Sequence, residues 1–257
     1  MNEPQGEGFW GKRKARWYSE GLRHSDYADK VVGVMEPVVA GCGSLLDIGA
    51  GCGALCIPLA RVFDRVVALD SSAAMLDELH TGANSAGVEN ISTELAAWED
   101  AEKEAGDFDV VLCANVPGVL NHPDDSIPRL ETHAKRFVFL LLGTPGNADK
   151  FYFRELWPLI FGSDPPKKSN YFDAYGDLYR LGIFANVAVV DYNFDQPFRD
   201  IEEAVSFWKD HMRLSDDRRD KILREFLLKR LERSGDLLWA RVPKQSAIIW
   251  WRARGRQ

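Results

Sequence analysis

The most informative segment of this 257-residue chain is Leu45-Leu46-Asp47-Ile48-Gly49-Ala50-Gly51-Cys52-Gly53. Its apolar beginning, 45–48, predicts a buried strand, and the glycines that follow predict a tight turn. Residues 54–62 then have helical composition. A strand, a glycine turn and a helix in this order present backbone N–H groups and the positive end of a helix dipole to a ligand. The sequence therefore predicts a ligand site at this turn.

Two kinds of cofactor site begin in this way, and three acidic or glycine positions distinguish them. The dinucleotide pattern G-x-G-x-x-G/A can be placed on the turn with Ala54 as its last residue. However, Asp47 stands where a dinucleotide turn usually has an apolar residue, and Gly53 extends the pattern to D-x-G-x-G-x-G. A second predicted strand, 66–70, ends in Asp70. With these features the chain resembles the class I S-adenosylmethionine-dependent methyltransferases.

The resemblance implies S-adenosylmethionine as the cofactor, with S-adenosylhomocysteine as its product. In that family the glycine loop holds the methionyl part, the acid after strand two binds the ribose hydroxyls, and the segment after strand three recognises adenine. The residues that match the family's cofactor positions are Asp47, Gly49, Ala50, Gly51, Asp70, Ser71, Ala97, Trp98 and Asn115. An N-terminal segment often covers the cofactor in related enzymes, which adds Trp17 to this set.

Four of these assignments have a structural alternative. Trp98 can pack in the core instead of stacking on the adenine base, and Trp17 can pack against the domain. Asp70 can cap the helix that follows it. For Asn115, a role in a turn is the alternative to contact with cofactor or substrate.

The pattern of apolar segments predicts an α/β fold. Strand-like runs alternate with helices over 44–143, which is what a parallel sheet covered on both faces requires. With the resemblance, this predicts a Rossmann-like seven-stranded methyltransferase sheet whose last strand is antiparallel and lies beside the fifth. We expect a single domain over 1–257, divided into a helical cap (1–43), the cofactor-binding core (44–143), an inserted lid after strand five (144–183) and the rest of the sheet (184–257).

Within the lid segment, an aromatic helix is predicted over 148–157 and is expected to stop at Pro158. Tyr175 and its neighbours then recur at helical spacing, and they either line a substrate pocket or pack the segment onto the sheet. Further on, a helix that opens at 215–217 is expected to end before Gly235.

Catalytic residues are harder to predict, because methyl transfer depends mainly on positioning and desolvation. His122, in a loop after strand four, is the candidate general base, with an ordinary surface histidine as the alternative. Tyr175 is the second catalytic candidate. N-methyltransferases acting on nucleobases or protein amides commonly carry Asn-Pro-Pro-Tyr after strand four, whereas this chain has Asn115-Val116-Pro117-Gly118. That departure favours a small-molecule acceptor, with methylation at an O, N or C atom.

Composition sets the remaining expectations. The formal net charge of −7 argues against a nucleic-acid substrate, although RNA or protein methylation and a non-catalytic cofactor-binding module stay as alternatives. No apolar run approaches the roughly 20 residues that span a bilayer, and the first residues lack a signal-peptide core, so a cytoplasmic protein is expected. We expect it to be a monomer or a homodimer. The four cysteines form no zinc-binding spacing, and no metal is predicted.

Overall fold

The computed structural model describes residues 9–101, 106–116, 119–144, 151–165 and 171–254. Their main feature is one seven-stranded sheet with the order β3-β2-β1-β4-β5-β10-β6. Its strands are β1 (Ser44–Ile48), β2 (Arg65–Asp70), β3 (Ile91–Leu95), β4 (Phe108–Ala114), β5 (Ala134–Gly143), β6 (Asn186–Asn193) and β10 (Pro243–Arg252). The last strand, β10, is antiparallel to both of its neighbours, β5 and β6. The predicted fold and the position of the antiparallel strand are confirmed.

Helices cover both faces of the sheet because its strands are apolar on both sides. Leu45 faces a cluster formed with α2 (Tyr27–Met35), α3 (Cys56–Leu59) and α4 (Ala73–Ala86). Its neighbour Leu46 faces the opposite cluster, formed with α5 (Trp98–Ala101), α6 (Pro123–His133) and α8 (Tyr171–Arg180). Successive side chains of a strand point to opposite faces, so a continuous apolar run is buried only between two helical layers.

A second body of structure lies apart from the two sheet faces. We call it the cap, and it is distinct from the helical cap predicted over 1–43. It consists of α7 (Phe153–Phe161), α9 (Ile201–Met212), α10 (Asp220–Arg230) and a small sheet of β7 (Gln196–Phe198), β9 (Leu237–Ala240) and β8 (Glu232–Ser234). The N-terminal helix α1 (Lys12–Arg23) joins it through Trp17. At its centre Trp208 is fully buried and donates a hydrogen bond from Nε1 to the Phe151 carbonyl at 2.6 Å.

The segment predicted as a lid, 144–183, divides between the cap and the sheet. Of the segment 144–183, α7 packs in the cap, whereas α8 is the crossover helix between β5 and β6 and packs on the sheet and on α6. Most of the cap instead comes from residues inserted between β6 and β10. The side chains that α8 buries are Ala174 and Leu178, while Tyr179 is exposed.

Several helix boundaries also differ from the prediction. Pro158 lies inside α7, because a proline in so short a helix leaves only one carbonyl without its partner. The helix after the glycine turn is limited to Cys56–Leu59, since Gly51 and Gly53 have positive φ and delay its start. Gly235 follows strand β8 and not a helix. None of the helices described is both long and apolar enough to cross a membrane.

Candidate active site

The glycine turn lies at the carboxyl end of β1 and is fixed to the neighbouring strand. The backbone N–H groups of Gly49 and Ala50 donate to the Leu69 carbonyl at 2.8 and 3.0 Å. Gly49 has φ +69°, and a Cβ there would collide with the Val116 side chain. Gly51 has φ +58°, but a Cβ there would meet no described atom within 4 Å. The backbone of Gly51 therefore borders open space, where a ligand can approach it.

Asp70 connects this turn to α4. Its Oδ2 accepts from the Gly51 N–H and its Oδ1 from the Ser72 N–H, both at 2.8 Å. Ser72 is the N-cap of α4, accepting from the Met75 N–H at 3.3 Å, and its hydroxyl donates to the Trp10 carbonyl at 2.8 Å. A carboxylate oxygen has a second lone pair. Asp70 can therefore hold the turn in place and still accept hydrogen bonds from a ligand.

Asp47, behind the turn, is a buried carboxylic acid with one oxygen that has no hydrogen-bond partner among the described residues. It is 2% exposed, and the oxygen without a partner is Oδ1. Burial, with a smaller contribution from the negative charge of Asp70, raises the pKa of Asp47 to about 8. A ligand that brings a cationic donor to this oxygen would stabilise its ionised form. The residues thus fit an S-adenosylmethionine-type ligand: Asp47 could accept from its amino group, Asp70 could accept from its ribose, and the backbone of Gly51 leaves room for it to approach.

The thiols of Cys56 and Cys113 are near enough to the Asp47 carboxylate for it to raise their pKa, and these two thiols and that of Cys52 remain protonated. Burial raises the pKa of Cys52 and of Cys113 to about 12, and it raises that of Cys56 well above its usual range. They act as small apolar side chains in the core. Among the residues described, no group of three or more His, Cys, Asp or Glu could hold a metal ion.

On the predicted adenine side, the structure places Trp98 in the core. Its side chain is 5% exposed and its ring meets His133 edge-on, with centroids 5.3 Å apart. Ala97 is partly exposed, and its carbonyl accepts from the Asp100 N–H at 3.1 Å. Ser71 is exposed beside Asp70. In this conformation the backbone at Ala97, and not the Trp98 ring, is available to a base.

The candidates after β4 lie at the same edge of the sheet, while Tyr175 lies on its face. Asn115 has φ +55°, its N–H donates to the Leu141 carbonyl at 2.9 Å, and its side chain is exposed. His122 is exposed at the N-cap position of α6. Tyr175 packs against the sheet face that carries α6 and α8. The structure therefore does not bring His122 and Tyr175 together.

The N-terminal helix α1 does cover the glycine turn, but through other residues than Trp17. The Trp17 indole packs in the cap, with its ring centroid 5.2 Å from that of Phe207. The residues that reach the turn are Ala15, which is fully buried with Cys52 and Met75, and the partly buried Tyr18 packed beside them. The i, i+3, i+7 spacing of Ala15, Tyr18 and Leu22 was the sequence signal for this face.

Comparison with known proteins agrees with this geometry. Residues 45–137 match a family described as "Methyltransferase domain". An uncharacterized protein of Haemophilus influenzae is 32% identical over 149 residues, which are 58% of this chain and 53% of that protein. The chain thus spans about half the length of this curated relative.

Two solved structures share the fold at 14% identity. The precorrin-6y C5,15-methyltransferase of Geobacter metallireducens superposes with a TM-score of 0.50 over 86% of either chain. A protein from the conversion of a disulfide bond into a thioacetal group in echinomycin biosynthesis gives 0.53 over 87% of this chain and 81% of its own. Residues 45–137 thus match a methyltransferase domain family, and the seven-stranded sheet that they belong to shares the fold of a solved methyltransferase.

Proposed function

We propose that this protein transfers the methyl group of S-adenosylmethionine to an O, N or C atom of a small molecule. The observation that carries the proposal is the unpaired, buried Oδ1 of Asp47 behind a glycine turn whose Gly51 borders open space. A buried carboxylate oxygen without a partner is costly, and the cofactor's amino group would remove that cost. Asp70, at the end of β2, would accept from the ribose hydroxyls.

The same residues explain how the protein would promote the reaction. S-adenosylmethionine supplies an activated methyl group, so the chain has to bind it, exclude water and align the acceptor. Asp47, Asp70 and the glycine turn would fix the cofactor. Helix α1 would exclude water, since Ala15 packs tightly on Cys52 and Met75 above the turn.

A small acceptor fits this arrangement better than a macromolecule. The face of α1 that covers the turn is apolar and packed, and the Ser72 hydroxyl fastens the start of that segment to α4. A narrow covered site admits a small molecule more readily than a folded RNA or protein surface. His122, exposed at the same sheet edge, stays the candidate for removing a proton.

Calorimetry with Asp70 variants tests the cofactor assignment. The wild-type protein should bind S-adenosylhomocysteine and not NAD, and Asp70→Ala should weaken binding by about 1.5–3 kcal/mol. Asp109→Ala is a matched control, because Asp109 also accepts from two backbone N–H groups, of Gly43 and Ser44 at 2.7 and 3.1 Å, at the opposite sheet edge. It should lower stability and leave cofactor affinity unchanged. Binding of NAD alone, or equal losses in both variants, would refute the assignment.

A further inference from the structure

Three tyrosines from different elements meet beside the proposed cofactor site. Tyr27 of α2 and Tyr192 of β6 have ring centroids 4.7 Å apart. Tyr18 of α1 packs with Tyr192 against the same buried cluster, it contributes to the raised pKa of Tyr27, and its ring centroid lies 5.5 Å from that of Phe194. We call Tyr18, Tyr27 and Tyr192 the tyrosine cluster.

The polar groups of this cluster are incompletely satisfied. The buried Tyr27 hydroxyl has no hydrogen-bond partner of ordinary geometry within the part of the chain that the structure describes. The Tyr192 hydroxyl accepts from the Ser246 hydroxyl at 3.2 Å, which leaves its own proton free to donate. Buried polar groups without partners are rare in folded proteins and usually indicate a ligand or water.

Gln196 adds a further unsatisfied group on the cap side of the cluster. Its side chain is 1% exposed, and neither amide atom has a partner among the residues described. It lies against α1 where Gly21 leaves room, because a Cβ at Gly21 would be 2.7 Å from Gln196 Oε1 and 3.0 Å from Phe194. The amide therefore borders the same aromatic surroundings as Tyr18.

The cluster is adjacent to the cofactor residues. The Asp47 carboxylate is near enough to the Tyr27 hydroxyl to contribute to its raised pKa, and the Asn115 side chain near enough to lower it slightly. Asn115 follows β4 at the carboxyl edge of the sheet, where the glycine turn after β1 also lies. Tyr18 and Tyr192 also keep part of their surface accessible, and Tyr192 lines a surface pocket.

The surroundings favour a neutral ligand. Burial raises the pKa of Tyr27 and Tyr192, so their hydroxyls stay uncharged and donate as well as accept. A charged ligand would lose its hydration among these rings, and a cation would in addition meet the Lys244 ammonium, which lies 5.5 Å from the Phe194 ring centroid. Aromatic rings and neutral hydroxyls suit a flat, uncharged molecule.

We propose that the tyrosine cluster is the acceptor site and that the acceptor is an uncharged planar aromatic molecule, such as a phenol or an N-heterocycle. Its ring would lie among the three tyrosines, with its polar atom hydrogen-bonded to Tyr27 or Tyr192. In the reaction the acceptor's lone pair forms the bond to the methyl carbon. The carbon–sulfur bond breaks with its electron pair moving to sulfur, and an acceptor proton is released to solvent. This inference rests on the proposed function.

A matched pair of probes tests the acceptor class. Binding of 2-naphthol and 2-naphthoate would be measured by ligand-observed NMR titration of the protein saturated with S-adenosylhomocysteine. The neutral probe should bind at least about tenfold more tightly, because the carboxylate of 2-naphthoate would lose its hydration among the aromatic rings. Similar dissociation constants for the two probes would overturn the proposal. Absence of S-adenosylhomocysteine binding would instead refute the proposed function, so the two failures are distinguishable.

Conservative variants locate the site. Tyr27→Phe and Tyr192→Phe should each weaken 2-naphthol binding about threefold to tenfold, with affinity for S-adenosylhomocysteine changed less than about threefold. Tyr27→Phe should also raise the melting temperature of the free protein, because it removes an unsatisfied hydroxyl. Tyr152→Phe, in the cap against Trp208, is the control and should change neither affinity. Unchanged 2-naphthol binding in both cluster variants would place the acceptor elsewhere.

Discussion

At the scale of single residues, Asp47 shows how a binding site can oppose stability. Its pKa is raised to about 8 because burial and Asp70 both disfavour the charged form. In the unfolded chain the same carboxyl ionises near pH 4. Between about pH 4 and pH 8, the folded protein therefore keeps this carboxyl protonated, whereas in the unfolded chain the carboxyl has lost its proton. A cationic ligand group reverses the preference, so function and stability require different protonation states of one side chain.

Asp47→Asn should consequently stabilise the free protein and weaken cofactor binding. The amide keeps the shape of the carboxyl but carries no charge, so the melting temperature at pH 8 should rise. Affinity for S-adenosylhomocysteine should fall by about 1.5–3 kcal/mol, the value of a hydrogen bond to a charged group. Thermal melting and calorimetry on the same samples measure both. A variant that is less stable and binds as well as wild type would contradict the assigned role.

The raised pKa of Asp47 determines the direction in which stability and cofactor affinity change with pH. Because the folded-state pKa of Asp47 is raised, stability of the free protein should fall as pH rises from about 4 to about 8 and then level off. Cofactor affinity should rise over the upper part of the same window, by up to about tenfold per pH unit. Urea denaturation at several pH values, compared with Asp47→Asn, isolates this contribution. Parallel pH profiles for the two proteins would exclude Asp47 as the titrating group.

Alanine substitutions at two glycines with the same backbone conformation distinguish backbone strain from loss of ligand contact. Gly51 and Gly87 have φ +58° and +65°, and at neither would a Cβ meet a described atom within 4 Å. Replacement by Ala should therefore cost each variant about 1–2 kcal/mol of stability. Only Gly51→Ala should lose cofactor affinity, by more than tenfold, because only its Cβ would occupy the ligand's space. Equal binding by the two variants would mean that the cofactor does not approach Gly51.

At the scale of elements, helix α1 packs over the glycine turn, so we expect it to move when the cofactor enters. It is held over the turn by the packing of Ala15 on Cys52 and Met75, and by the hydrogen bond from the Ser72 hydroxyl to the Trp10 carbonyl. S-adenosylhomocysteine should slow amide hydrogen exchange in α1, because binding favours the covered state. Helix α10 lies away from the turn and serves as an internal control.

Ser72→Ala should have the opposite effect on α1. It removes both the tether to Trp10 and the N-cap of α4, which is worth about 1 kcal/mol. Exchange in α1 should become faster and dissociation of the cofactor should accelerate, whereas exchange in α10 should not change. Mass-spectrometric exchange and stopped-flow dissociation measure the two effects. If α1 exchanges at the wild-type rate in the variant, the tether does not control access.

The elements that sequence reasoning found are those with strong local patterns. The strands of the large sheet are apolar runs of five to ten residues, and the glycine turn has few alternatives. The sequence does not predict the cap because β7, β8 and β9 are only three or four residues long, and β7 and β9 are buried through residues outside these strands, such as Trp208. The helix α8 has aromatic residues on two sides, so its spacing alone did not show which side is buried.

The candidate site could be placed from the sequence only where local backbone geometry determines it. Asp47, Gly49, Gly51 and Asp70 follow from the turn and the strand ends. Tyr27 and Tyr192 lie 165 positions apart in the chain and meet only through the order of the sheet, in which α2 packs on the edge strand β6. No local pattern connects such residues, so the tyrosine cluster appears only in three dimensions.

At the scale of the whole molecule, the charge distribution argues against a nucleic-acid substrate. The formal net charge is −7, and arginines of the cap and sheet are engaged with carboxylates, as in the pairs Arg224–Glu202, Arg241–Asp195 and Arg254–Glu131. Binding to RNA depends on basic groups that displace counterions from phosphates. Arginines already paired with acids contribute little to this.

The protein should therefore bind mixed-sequence RNA more weakly than about 10⁻⁴ M at 150 mM salt, which is the weak end of non-specific binding. Fluorescence anisotropy with a labelled 20-nucleotide RNA, with and without S-adenosylhomocysteine, measures this. A basic RNA-binding domain of similar size, titrated in parallel, verifies that the assay detects binding. Micromolar affinity with a steep loss on raising the salt from 50 to 200 mM would contradict the prediction. It would make RNA the acceptor to test first, because a steep salt dependence requires several phosphate contacts.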